Sequence, residues 1–526
     1  MVGMPCCVRQ TELPHTSALF ADVLYRPDRA ARFYPHPARD LGTFRAAARQ
    51  VEFSSERRAA LVAALAESNP ASASLERLAR PGTVAVVTGQ QVGLFSGPAY
   101  TLYKALHAVK LAAWLTENGI SAAPVFWLAT EDHDFAEVNH AWVFGRARRP
   151  VKLEMRRSAG AQPVGGITLP APPVDALRAA LEGLPFAEQA ADLAAECYRP
   201  GATMGAAFGA ILGRLAADYG LLQLDPMRPA FRELAAPALR AAVAAAPDLS
   251  AGVLARNREL AAAGYHAQVH VEDQTSFVFL LENGRRLALR RSGGEYILDG
   301  RRFASQELMD RAASLSPNAL LRPVVQDSML PTVASIVGPG EIAYLAQSEV
   351  IYRTLLGRMP VPVPRAGFTI VDEGSHKLLE RYGLRLRDFF SGEEALRERI
   401  ADRLVPASLA ASLRETAATV DESVERLRGE LAGFDPTLER ALDTSTRKIR
   451  YQLRKIERKA GREAMRRDER AARHAASLYG LIYPERHLQE RLYSILPFLA
   501  AHGLDLPGRI YKAIRPDSTD HLLMVA

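Results

Sequence analysis

Residues 84–140 read VAVVTGQQVGLFSGPAYTLYKALHAVKLAAWLTENGISAAPVFWLATEDHDFAEVNH. Val84 to Val87 is a short apolar, β-branched run. Thr88 to Pro98 is a Gly-rich turn. Leu102, Leu106, Val109 and Ala113 then recur at helical spacing, and Gly119 ends that pattern. A second apolar run, Pro124 to Ala129, leads straight into Glu131-Asp132-His133-Asp134. Strand, loop, helix and strand in that order form the unit of a parallel sheet, so the fold class is α/β. In open α/β sheets, ligands bind beyond the carboxyl ends of the strands. Both polar clusters are therefore expected on one rim.

Working outward, residues 1–145 read as the N-terminal part of a parallel-sheet core. Residues 1–80 are mostly helical, with a loop-like stretch from Pro27 to Pro37. Residues 146–315 read as connecting segments inserted in the core. They contain a small β meander at 268–303, with strands at Val269–Val271, Ser276–Leu281, Arg286–Arg290 and Tyr296–Leu298. Its turns are Asn283-Gly284 and Gly293-Gly294. Leu221 to Leu224 is a further core-strand candidate inside that region. Residues 316–385 read as the second part of the core. Val333 to Val337, Gly338-Pro339-Gly340 and a helix start at Glu341 repeat the strand–turn–helix pattern, and Val361 to Asp372 gives another strand. Residues 386–478 read as an antiparallel helical coiled coil. Val424, Leu427 and Leu431, then Leu438, Leu442, Ile449, Leu453, Ile456 and Ala460, fall near heptad spacing around a turn at Gly433 to Pro436. Residues 479–526 read as a segment packing back on the core.

Composition narrows the function classes. Of 526 residues, 48% are hydrophobic, enough for large cores and too many for a disordered chain. The net charge of +7 suits an anionic small molecule. A nucleic-acid partner would call for a concentrated basic face, and none is expected. No apolar run reaches the length of a membrane span, and no basic segment followed by an apolar one opens the chain. Cys6, Cys7 and Cys197 make neither a disulfide framework nor a metal knuckle, so a reducing, cytoplasmic setting is expected. Residues 439–475 carry thirteen Lys or Arg against six Asp or Glu. Such a run is either a solvated helix face or a surface for an anion or a second subunit.

Three polar groups carry the chemistry. In the first, Gln90 and Gln91 precede Gly93 and Gly97. Glycines allow close backbone approach to a ligand, and Gln side chains both donate and accept. A plain strand–helix turn has the same spacing. Lys104, on the following helix, is in reach of an anion or is a solvated lysine. In the second group, Asp132, His133 and Asp134 stand with Glu137, Asn139 and His140. Crowded carboxylates raise one another's pKa, which can prepare a general base. A turn with helix-capping acids is the other reading. His133 and His140 are seven residues apart without an HExxH pair, so no metal is predicted. In the third group, Arg322 can pair bidentately with a substrate carboxylate or form a structural ion pair with Asp327; Gln326, Glu341 and Tyr344 lie near it in sequence, and Glu341 also suits a helix start.

At these residues the chain resembles the bacillithiol synthase family, the cysteine-adding enzymes of low-molecular-weight thiol biosynthesis. The resemblance rests on TGQQVGLFSGPAYTLYKA (Thr88–Ala105), PVFWLATEDHDFAEVNH (Pro124–His140) and LLRPVVQDSMLPTVASIVGPGEIAYLAQ (Leu320–Gln347). PRAGFTIVD (Pro364–Asp372) and LQERLYSILPFL (Leu488–Leu499) complete it. It implies a Rossmann-like core, class I nucleotidyltransferase-like, with inserted connecting segments and a C-terminal coiled coil that makes a homodimer. The implied reaction adds L-cysteine to the glucosamine amine of glucosaminyl malate. ATP or ADP is the cofactor the analogy raises, although no HxGH signature or KMSKS-like loop is present. Under this reading Gln90, Gln91, Gly93, Gly97, Lys104, Arg322, Gln326, Glu341 and Tyr344 bind substrate. Asp132, His133, Asp134 and Asn139 are catalytic, with His133 or a neighbouring carboxylate as base. Arg381, Tyr382, Gly383, Gln489 and Arg491 are candidates for a separate nucleotide site. Two alternatives stay open: a nucleotidyltransferase-like enzyme acting on another small acid or sugar, and a non-catalytic nucleotide-binding coiled-coil scaffold.

Overall fold

Five parallel strands form the central sheet in the computed structural model, which describes residues 6–36, 39–155, 160–435 and 437–526. Pro37, at the end of the expected first loop, Pro436, in the expected helical-hairpin turn, and residues 156–159 lie outside the described residues. The strands are β1 (Val84–Gln91), β2 (Ala122–Ala129), β3 (Leu222–Leu224), β4 (Thr332–Val337) and β5 (Val361–Pro364). Their order is β5-β4-β1-β2-β3. The chain steps outward from β1 through β2 to β3, then returns to β4 on the other side of β1. The winding reverses between β1 and β4, and such a switch point opens a crevice at the strand ends.

Both faces of the sheet are covered. Val84 and Val86 share a buried layer with Ala108, Leu111 and Leu115 of α1 (Tyr100–Glu117). Ala85 and Val87 share the opposite layer with Val324 and Val325 of α2 (Arg322–Met329) and Ile342 of α3 (Pro339–Leu355). The alternation follows the two-residue period of a strand. Burial on both faces explains why these strands read as continuous apolar runs. Each fully buried Val contributes roughly 1.5–3 kcal/mol.

The structure redraws three segments. β3 lies inside residues 146–315, so a core strand interrupts the inserted region. The meander consists of Thr275–Glu282, Arg285–Ser292, Glu295–Leu298 and Arg301–Ala304, joined by Leu315–Pro317; Val269–Val271 is not a strand. Its hairpin turns, Asn283-Gly284, Gly293-Gly294 and Asp299-Gly300, have positive φ at both positions, the backbone that matches strand twist. Finally, Val361 to Asp372 splits in two. β5 is an edge strand, where Pro362 and Pro364 leave no ladder donor missing inside the sheet. Gly367–Val371 instead joins a separate sheet with His521–Val525 and Cys6–Val8. Residues 6–8 and 521–523 thus pair beside the core.

Beyond this sheet come α4 (Glu393–Leu404), α5 (Ala407–Phe434), α6 (Leu438–Arg467) and α7 (Glu469–Ile482). The helix α6 packs on both α4 and α5. Val424 and Leu442 are buried, whereas Leu427, Ile449 and Ile456 are exposed. Among the described residues no single helix is long and apolar enough to cross a membrane; only the bent pair Pro229–Ala244 and Ala246–Ala262 passes jointly, by length and composition.

Candidate active site

A cleft of about 620 Å³ opens at the switch point. Gly89, Gln90 and Gln91 reach it from the end of β1, Ala129 from the end of β2, and Gly338 from the end of β4. The first turns of α1 and α3 bring Tyr100, Lys104, Glu341 and Tyr344. The meander adds Phe279 and Arg286, and Arg365 and Arg491 close the far side.

Lys104 ties this crevice together. Its side chain is 1% exposed, and Nζ donates to the Gly89 carbonyl at 2.5 Å and to Glu341 Oε2 at 2.7 Å. Glu341 Oε2 also accepts the Gly338 N–H at 2.7 Å, which caps α3. Burial pulls the Lys104 pKa down, and Glu341 opposes that pull. Lys104 and Glu341, both expected to meet a substrate, line the cleft and already have each other as charged partners. They hold each other, and they join the ends of β1 and β4.

The acidic–histidine cluster is divided by its partners. Glu131 is buried against Arg232 (3.2 Å) and Ser316. Asp132 accepts from the Gln91 amide at 2.7 Å and the His133 N–H at 2.7 Å, and lies 3.7 Å from Arg286. Burial disfavours the charge on Asp132, but these donors outweigh it and hold its carboxyl below the ordinary range. It is thus a stable anion and a weak base. His133 Nδ1 lies 3.1 Å from Arg286 Nη1. Arginine only donates, so Nδ1 accepts and the ring proton sits on Nε2. That lone pair is committed, and His133 does not line the cleft. Asp134 caps the short helix Phe135–Val138 by accepting the Glu137 N–H at 3.3 Å. Asn139 donates to Glu154 and to the Met155 carbonyl, both at 3.3 Å, and it too stays outside the cleft.

Other expected residues are also structural. Gly93 and Gly97 do not line the cleft; a Cβ on Gly93 would stand 2.9 Å from the Gly97 Cα. The Ser96 N–H is taken by the Tyr198 hydroxyl at 3.0 Å, which donates to the Gly93 carbonyl at 2.8 Å. The turn is thus packed from within rather than open to a phosphate. Gln326 supports Arg322 at 3.0 Å. Gln489 is fully buried, and its amide bonds both backbone groups of Ile370 and the Leu481 carbonyl. Gly383 ends the helix Glu373–Tyr382 at φ 59°, and the Tyr382 hydroxyl lies 2.9 Å from His474. Of the five residues expected at a separate nucleotide site, Arg491 lines this cleft and the other four lie outside it.

What remains in the cleft is a small set of charges without opposite partners. Arg322 donates to Gln326 and to the Tyr344 hydroxyl (3.1 Å) but faces no carboxylate within ion-pair distance among the described residues. Arg491 has no ion pair among them either, whereas Arg365 is held by buried Glu490 at 2.5 Å. Among the described residues Glu137 has no cation partner. A cleft with two unpaired guanidinium groups and one unpaired carboxylate can recognise a ligand that carries both acid and amine. Glu137 stood in the acidic cluster read from sequence, whereas Arg286, Arg365 and Tyr100 were not singled out there. Arg286 and Arg365 sit in unremarkable strand and loop contexts, and only the fold brings them here. Among the described residues, no group of three His, Cys, Asp or Glu side chains could hold a metal ion.

Comparison with known proteins fits this geometry into a family. Residues 7–366 match the family model described as "Bacillithiol biosynthesis BshC, N-terminal Rossmann-like domain". Residues 368–526 match "Bacillithiol biosynthesis BshC, C-terminal coiled-coil domain". A relative from Solibacter usitatus, named "Putative cysteine ligase BshC", is 67% identical over 99% of both chains. Relatives of the same name from Koribacter versatilis and Symbiobacterium thermophilum are 37% identical (97% of this chain, 98% of theirs) and 34% identical (87% and 88%). With a Rossmann-like domain followed by a coiled-coil domain, the chain belongs to the bacillithiol biosynthesis BshC family.

Proposed function

We propose that the protein is a cysteine ligase of bacillithiol biosynthesis. It joins the carboxyl group of L-cysteine to the glucosamine amine of glucosaminyl malate, the last step of that synthesis. The names of the relatives support the ligase class. The observation that carries the substrate is the charge left unpaired in the cleft. Arg322 and Arg491 are available for the two malyl carboxylates, and Gln90, Gln91 and Tyr344 offer hydrogen bonds to the sugar. Gln326 and Tyr344 fix the Arg322 fork, so it can grip a carboxylate bidentately.

A free carboxylate does not acylate an amine in water, so the cysteine carboxyl must arrive activated. The cleft residues bind and orient the acceptor. A thiol substrate calls for a reducing compartment, which favours the cytoplasm. The exposed apolar side chains of the hairpin support a homodimer. Among the described residues nine large hydrophobics are exposed, and six of them, Leu409, Leu427, Phe434, Ile449, Tyr451 and Ile456, lie on α5 and α6.

The test is incubation of the purified protein with glucosaminyl malate and cysteine, with and without ATP, following the thiol product by mass. Product formation supports the ligase. Absence of product under both conditions, and also with cell extract added, overturns it.

A further inference from the structure

We infer that Glu137 receives the primary amine of the acceptor and takes its proton. The inference rests on the ligase reading above and assigns a role within it. Four carboxylates line the cleft: Glu131, Asp132, Glu137 and Glu341. Three are already neutralised. Glu131 faces Arg232 at 3.2 Å, Asp132 faces Arg286 at 3.7 Å, and Glu341 faces Lys104 at 2.7 Å. Glu137 is exposed, and its side chain has one partner among the described residues, the Gln91 amide at 2.7 Å from Oε2.

Gln91 sharpens the assignment. Its Nε2 lies 2.7 Å from both Asp132 Oδ2 and Glu137 Oε2. Two carboxylates can only face the NH2 end of an amide, so both amide hydrogens are donated and the orientation is fixed. The Gln91 carbonyl oxygen and Glu137 Oε1 are left as acceptors in the cleft wall. An alkylammonium has three donors and needs such acceptors. Asp134 positions Glu137 by accepting its backbone N–H at 3.3 Å. His133 is the obvious competitor, but its Nδ1 already accepts from Arg286.

The step is a single proton transfer. An N–H bond of the ammonium breaks and its electron pair stays on nitrogen. An O–H bond forms on Glu137, which becomes neutral. The freed lone pair is then the nucleophile for the activated cysteinyl carbon.

The experiment is calorimetric binding of glucosaminyl malate and of its N-acetyl form to the full-length protein, the E137Q variant and the D132N variant. The wild-type protein is expected to prefer the free amine roughly tenfold, the scale of a charge-assisted contact. E137Q is expected to lose that preference while binding the acetylated ligand unchanged, which also shows that it is folded. Undiminished discrimination by E137Q, or its loss in D132N alone, overturns the role of Glu137 and leaves the ligase reading standing. Failure of the wild-type protein to bind either ligand overturns the ligase reading itself.

Discussion

Lys104 and Glu341 lie 2.7 Å apart across the point where the sheet reverses its winding, although 237 residues separate them in the chain. The contact fastens the start of α1 to the start of α3, and so fixes the width of the cleft. Lys104→Met removes a buried cation and leaves both Glu341 and the Gly89 carbonyl short of a donor. It is expected to cost about 3 kcal/mol, at the lower end for broken buried pairs because Glu341 is 24% exposed. Glu341→Gln keeps the cap on Gly338 and an acceptor for Lys104, and should cost less. Urea midpoints check the order, and a larger loss for the Gln variant refutes it.

Arg322 gives a prediction about binding. Arg322→Ala should weaken glucosaminyl malate roughly 30-fold, about 2 kcal/mol, by removing a bidentate donor to a carboxylate. Glucosamine without the malyl group should bind wild type and variant alike. Isothermal calorimetry separates the two ligands. A variant that loses both equally would show that Arg322 only supports the fold.

Gly89 and Gly340 both line the cleft, yet they should respond oppositely to alanine. A Cβ on Gly89 would stand 2.9 Å from both the Cβ and the carbonyl oxygen of Trp127 on the neighbouring strand. Backbone cannot yield easily there, and Gly89→Ala is expected to cost about 1–3 kcal/mol. A Cβ on Gly340 meets nothing within 4 Å in the first turn of α3. Gly340→Ala should be neutral or stabilising by up to about 1 kcal/mol. Thermal melts of the two variants settle the contrast.

Acid should loosen the junction between the core and the C-terminal sheet. His107 is buried, and its Nδ1 accepts the Ala366 N–H at 3.0 Å. Burial, with help from the Arg365 charge, lowers its pKa to about 4. The unfolded chain takes up that proton near pH 6.5, before the folded chain does. The stability His107 contributes is therefore present above pH 6.5 and is lost as pH falls towards 4. His521, packed nearby with a lowered pKa, acts in the same direction. Wild type should lose stability between pH 7 and pH 5, and His107→Gln should flatten that slope. Equal slopes in denaturant melts across this range would remove His107 as a cause.

The hairpin carries the last prediction. Leu427, Ile449 and Ile456 are 43%, 42% and 52% exposed, which is unusual for heptad positions in a single hairpin. A double substitution, Ile449→Lys with Ile456→Lys, is expected to turn a dimer into a monomer without altering the Rossmann-like domain. Sedimentation at micromolar concentration checks both species. A monomeric wild-type protein removes the homodimer.

Much of the scaffold was legible because it is written in local periodicity. The β-branched run Val84–Val87, the helical spacing after Pro98 and the heptads past Val420 depend on near neighbours and on which face is buried. Two-residue Gly turns likewise marked the meander. The division of Val361 to Asp372 was not legible. One apolar run was shared by two sheets, and only the return of His521–Val525 decided where the second began.

The site divides in the same way. Sequence alone placed Gln90, Gln91 and Asp132 on one rim, because strand ends in a parallel sheet point to one edge. It could not tell a charged side chain awaiting a ligand from one already neutralised. Lys104 has its partner 237 residues away, and Arg286 reaches Asp132 from an inserted sheet. Electrostatic pairing depends on distances of a few ångströms between segments remote in the chain. The sequence determined which charges the cleft could hold; the tertiary structure decided that Arg322, Arg491 and Glu137 are those left without an ion pair among the described residues.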